Sequence, residues 1–149
     1  MSDYLDYLEK STNVVKSRNK LYKLILIVTY LGIWAISLIV FWFFISGSDA
    51  MGYGFMFLWV LLPVTTFVIS LLIGKNDSWG KWRWVSAIVF GVMYMLAEYA
   101  TFSVANMVAF DKINVPQFGM IPIGAIISVG GLAIGAGMNH LKSKAEIKK

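Results

Sequence analysis

The chain has 149 residues, 58% of them hydrophobic and 15% aromatic, with 14% charged, a mean hydropathy of +0.71 and a formal net charge of +5. A soluble domain of this size wets its surface with about a quarter charged residues, so this composition excludes a cytosolic enzyme and a disordered tail and implies solvation by lipid. The absence of cysteine excludes a disulfide scaffold, a c-type haem attachment, a cysteine zinc site and a palmitoylated anchor.

Residues 1–23 are polar and mixed in charge and read as a cytoplasmic segment. Within them Tyr4, Leu5, Tyr7 and Leu8, followed by Val14 and Val15, mark a candidate short helix lying on the membrane surface. Four apolar runs follow, at 24–45, 53–73, 85–110 and 118–138. Each is long enough to cross roughly 30 Å of hydrocarbon at about 1.5 Å per residue. The runs are uniformly apolar rather than alternating, which argues against membrane strands. The predicted fold class is an all-α integral membrane protein, a four-transmembrane-helix bundle over 24–138 with a basic cytoplasmic tail at 139–149. The first run is too long for a signal-peptide core and lacks a small-residue cleavage site, so it is expected to remain in the mature protein.

Loop charge predicts the orientation. Lys10, Lys16, Arg18, Lys20 and Lys23 precede the first run, Lys75, Lys81 and Arg83 lie between the second and third, and Lys142, Lys144, Lys148 and Lys149 follow the fourth. Only Lys112 falls on the other side. The bias places both termini and the middle loop in the cytoplasm of a plasma-membrane protein, with 46–52 and 111–117 as outer turns. It also accounts for the net positive charge without nucleic-acid binding. The middle-loop segment 78–84, SWGKWRW, alternates Trp79, Trp82 and Trp84 with Lys81 and Arg83. It reads as an interfacial belt or a lipid-headgroup loop, with membrane lipids as the expected partners.

The four runs contain one acid and no base, and the acid is Glu98. A carboxyl near mid-span is expensive and is expected to face the bundle interior or a cavity. At about 100° per residue, Ala87, Gly91, Tyr94, Thr101, Ala105 and Ala109 share its face, and most are small enough to admit a neighbouring helix. Pro63, near the centre of the second run, disturbs the carbonyl of Trp59 one turn earlier, with Thr66 and Ser70 on the same face. Ser128 stands at similar depth in the fourth. Glu98, Tyr94, Thr101, Pro63, Thr66 and Ser128 are therefore the candidate proton or ligand site. A protonated Glu98 donating to the Trp59 carbonyl or to a hydroxyl is the structural alternative. A titrating acid, or one neutralised by a cation from substrate or partner, are the functional ones.

The fourth run carries six of the thirteen glycines. Gly124, Ser128, Gly131 and Gly135 fall within about 60° of arc and are expected to pack on the bundle. Gly119, Gly130, Ala133 and Gly137 cluster on the opposite side, interrupted by Ile126, and form a candidate face for a second copy or a membrane-protein partner. No nucleophile and base, carboxylate pair or metal cluster is evident, so no catalytic residue, metal or cofactor is expected. His140, beside Asn139, is placed to meet Asp77 from the middle loop, but lone histidines at such positions are ordinary interfacial residues. The sequence therefore predicts a small accessory, regulatory or protective subunit acting through helix contacts. A proton-coupled transporter working as an oligomer through Glu98 is the second expectation, and a lipid-interacting protein the third.

Overall fold

The computed structural model describes residues 2–147, all-helical apart from short connections and without a strand among those residues. Four helices are long and apolar enough to cross a membrane. They are α1 (Ser2–Phe44), α2 (Ala50–Lys75), α3 (Asp77–Phe110) and α4 (Met120–Ile147). Lys148 and Lys149 lie outside the described residues, and so does the side chain of Leu5.

The helices outrun the apolar stretches furthest at the start of α1 and the end of α4, for the same reason. Neither glycine nor proline occurs between Ser2 and Leu31, so nothing interrupts α1, and the polar segment before residue 24 continues the same helix instead of forming a separate one. Likewise α4 runs on through Lys142 and Lys144, good helix formers with no breaker among them.

The connections are built from local hydrogen bonds. Between α1 and α2 the Ser46 hydroxyl donates to Asp49 at 3.1 Å, and the Asp49 N–H returns to the Ser46 carbonyl. After α2, Asn76 is extended and its side chain accepts from the Ser78 N–H at 2.9 Å, which starts the 3-10 turn Asp77–Trp82 at the head of α3. Gly80 has φ +52°, the one position in this turn where glycine is required. Asp111, at φ 50° and ψ 38°, ends α3 in the left-handed region, which aspartate tolerates better than most residues. Pro122 sits in the first turn of α4, where its missing N–H is no loss.

Two kinds of packing hold the bundle. α4 lies close against both α2 and α3, and glycines set the distance. A Cβ on Gly131 would stand 2.5 Å from the Phe67 carbonyl oxygen, and one on Gly124 would stand 2.8 Å from the Tyr94 Cβ. Gly74 and Gly135 likewise abut the backbone of Leu132 and Leu71. On the other side α1 crosses α2 and α3 at a distance filled by rings: Tyr30 lies 4.6 Å from Phe90, and Phe41 packs 5.4 Å from Phe102 and 5.5 Å from Tyr53. Edge-to-face and offset ring contacts supply dispersion where lipid offers no hydrophobic drive to associate. Between the two layers Leu62 and Leu132 are fully buried.

Candidate functional site

Two π-helical turns interrupt the backbone ladders near the bundle centre, and both expose a carbonyl to a neighbouring helix. In α2 the turn is Phe55–Leu61, with Leu62 between it and Pro63. The Leu62 N–H reaches the Phe57 carbonyl, five residues back, instead of Leu58, and Pro63 has no N–H to offer. The Leu58 carbonyl is taken by the hydroxyl of Tyr94 on α3. The sequence points to the Trp59 carbonyl, or alternatively a hydroxyl, as the partner of Glu98. The shifted ladder moves the available acceptor to Leu58, and Trp59 faces outward, 70% exposed.

In α3 the π turn is Tyr99–Ser103, directly after Glu98. The Val104 N–H bonds the carbonyls of Tyr99 and Thr101, bypassing Ala100, whose carbonyl accepts from the Trp42 indole N–H at 3.0 Å. The extra residue in the turn also changes what stands over Glu98. In a regular helix residues five apart are about 140° out of register. Across the π turn Ser103 comes into line, and its hydroxyl donates to the two carboxyl oxygens of Glu98 at 3.1 and 3.2 Å. Beyond it the face predicted by constant rotation is lost, and Ala109 is exposed. The Asn114 side chain closes this end by donating to the Ser103 carbonyl at 3.3 Å.

Glu98 is 6% exposed and borders a cleft of about 340 Å³ that opens at the end of the bundle carrying the connections before α2 and α4. Met51, Gly54, Leu58, Phe102 and Gln117 line it with the acid, and none of its walls carries a cation. A Cβ on Gly54 would overlap the Phe102 ring, so glycine here admits that ring to the cleft lining.

The remaining candidates are distributed, not assembled around the acid. The Thr101 hydroxyl turns back to the carbonyls of Ala97 and Glu98, at 2.7 and 3.2 Å. Thr66 faces the Tyr30 hydroxyl at 3.5 Å, and Ser128 pairs with Ser70 at 2.7 Å, joining α4 to α2. These are separate contacts at successive depths, each satisfied by its neighbour. Ser103, Tyr30 and Trp42 carried no signal in the sequence, because their roles depend on the π turn and on the crossing of α1.

On α4 and the turn before it the two groups of small residues meet different surroundings. Gly124, Gly131 and Gly135 grip the bundle, whereas Gly119, Gly130 and Gly137 have nothing within 4 Å of a built Cβ. In the middle loop Lys81, Trp82 and Trp84 are exposed, while Trp79 and Arg83 are half-buried, the Arg83 guanidinium lying 5.8 Å from the centroid of the Trp84 ring. The partner of Asp77 is Asn139, donating at 2.6 Å, while the neighbouring His140 is exposed. Comparison with known protein families, with curated proteins and with solved structures gives no match.

Proposed function

We propose that the chain is a multi-pass plasma-membrane protein, with both termini in the cytoplasm, that acts through helix contacts as a small accessory, regulatory or protective subunit and performs no catalysis itself. The observation that carries this reading is the outward face of α4. Gly130 and Gly137 stand open on one side of a helix whose other glycines are already used for close packing, and Gly119, in the turn before it, is open as well. Small residues facing out allow a second copy or another membrane protein to approach backbone to backbone. The bias of twelve lysines and arginines against Lys112 supports the orientation. Gly130→Leu and Gly137→Leu test the reading in detergent and in bilayers. Loss of the co-purifying partner or of self-association, with unfolding unchanged, supports it; unchanged assembly in both variants defeats it.

A second reading has its own observation. A buried carboxyl with one hydroxyl donor, bordering an open cleft without a cation, is suited to exchange a proton or bind a cationic substrate. This reading makes the chain a small proton-coupled transporter in which Glu98 is the proton and substrate site. Glu98→Gln then folds normally but abolishes proton-linked flux, and persistent flux in that variant rejects the transporter.

A further inference from the structure

The cleft at Glu98 is walled by two kinds of group. Phe55, Trp59 and Phe102 bring three aromatic rings, and Met51 and Met120 bring two thioethers. Side-chain oxygen comes from the Glu98 carboxyl and the Gln117 amide alone. Glu98 is buried, while Phe55 and Trp59 are exposed at the rim. The Leu58 carbonyl already accepts from Tyr94. A carboxylate has room for about four hydrogen bonds, and among the described residues the Ser103 hydroxyl is the one donor to this carboxyl.

This lining selects among ligand classes. An anion would meet the acid with no basic side chain in the walls to hold it. A neutral hydrocarbon would leave the buried carboxyl against an apolar surface, which is costly. A hard metal ion takes about six or more oxygens, whereas two side chains offer oxygen here, and among the described residues no cluster of His, Asp and Glu forms that could hold a metal. Rings and thioethers, poor ligands for such an ion, are good neighbours for a large and weakly hydrated cation. An ammonium group is drawn to the face of an aromatic ring, most strongly that of tryptophan, and sulfur is soft and polarisable. The volume of about 340 Å³ is that of a small-molecule pocket and far exceeds a bare ion.

We propose that the Glu98 cleft binds a lipophilic organic ammonium ion, with the charged nitrogen against the carboxylate and the apolar groups against Phe55, Trp59 and Phe102. The bound cation supplies the countercharge that the fold withholds from Glu98. The assignment rests on the second reading above, in which Glu98 takes a cationic substrate, and it names the class of that substrate. It requires occupancy of the cleft and no movement of the ligand across the bundle.

The test uses the full chain in nanodiscs of phosphatidylcholine. Equilibrium dialysis with benzyltrimethylammonium reads bound ligand at known free concentration, and partition into empty nanodiscs is subtracted. Saturable binding at one site per chain is expected. Neopentylbenzene, the uncharged isostere, and tetramethylammonium, which keeps the charge but lacks the ring, each bind about tenfold more weakly. Glu98→Gln reduces binding of the cation about tenfold or more, and Trp59→Leu, which removes one rim ring, about fivefold. Trp82→Leu makes the same substitution at a comparably exposed indole at the other end of α3 and leaves binding unaltered. Equal affinity for the cation and its uncharged isostere, read on the wild-type chain, overturns the proposal whether or not any variant folds. Full binding in Glu98→Gln overturns it too, as does a loss with Trp82→Leu equal to that with Trp59→Leu, which marks partition into the bilayer. Proton-linked flux through Glu98 with no ammonium bound defeats this assignment and leaves the transporter standing; Glu98-dependent binding without flux keeps the assignment and removes the transporter.

Discussion

Ser103 sits directly over Glu98 although five residues separate them, and its hydroxyl donates to both carboxyl oxygens. The relationship exists because the π turn Tyr99–Ser103 supplies one residue more than a regular turn. Ser103→Ala is therefore expected to cost about 1 kcal/mol, in line with hydrogen bonds measured inside membrane bundles. Glu98→Gln, which keeps an acceptor, should cost less. Unfolding in mixed micelles of the two variants and their double mutant checks this, and additive effects would show that the contact carries no energy.

Tyr94 and Pro63 should behave as a coupled pair although they lie on different helices. Tyr94→Phe leaves the Leu58 carbonyl buried without a donor, an expected loss of about 1 to 2 kcal/mol. Pro63→Ala supplies an N–H at residue 63 able to bond that carbonyl, so Tyr94→Phe should cost less in its presence. The same unfolding assay reads the coupling, and an equal cost in both backgrounds refutes it.

The six glycines of and just before α4 are expected to separate into two classes on substitution by alanine. A Cβ at Gly131 or Gly135 strikes backbone that cannot move aside, at a cost of about 1 to 3 kcal/mol. At Gly130 alanine meets open space and improves helix propensity, for a gain of about 0.5 to 1 kcal/mol. Thermal unfolding distinguishes the classes, and comparable losses at Gly130 and Gly131 would contradict the packing described.

The indoles of α1 act as hooks on α3. Trp34 donates to the Met93 carbonyl at 3.2 Å and Trp42 to the Ala100 carbonyl at 3.0 Å. Trp34→Phe and Trp42→Phe together should loosen α1 before the rest of the bundle, because they remove both indole hydrogen bonds from α1 to α3 and leave that side to the aromatic layer and a few hydroxyl and lysine contacts. Hydrogen exchange should then quicken in α1 while α2 and α4 stay protected. Uniform acceleration through all four helices would instead mean that α1 opens only with the whole bundle.

The sequence by itself determined the helical class and the number of long apolar helices, because a run of about 20 apolar residues without breakers has one way to satisfy its backbone in lipid. It also isolated Glu98, since an acid is conspicuous wherever every neighbour is apolar. Helical periodicity separated Gly124, Gly131 and Gly135 from Gly119, Gly130 and Gly137, but it held no information on what either face would meet. Constant rotation failed beyond Glu98, where a π turn resets the register and brings in Ser103. Only the tertiary structure decided which carbonyls were released, which rings and hydroxyls took them, and that Trp79 and Arg83 are half-buried while Lys81 is exposed. Those outcomes depend on crossings between helices remote in sequence, where the partner of each polar atom is set by approach distance and not by spacing along the chain.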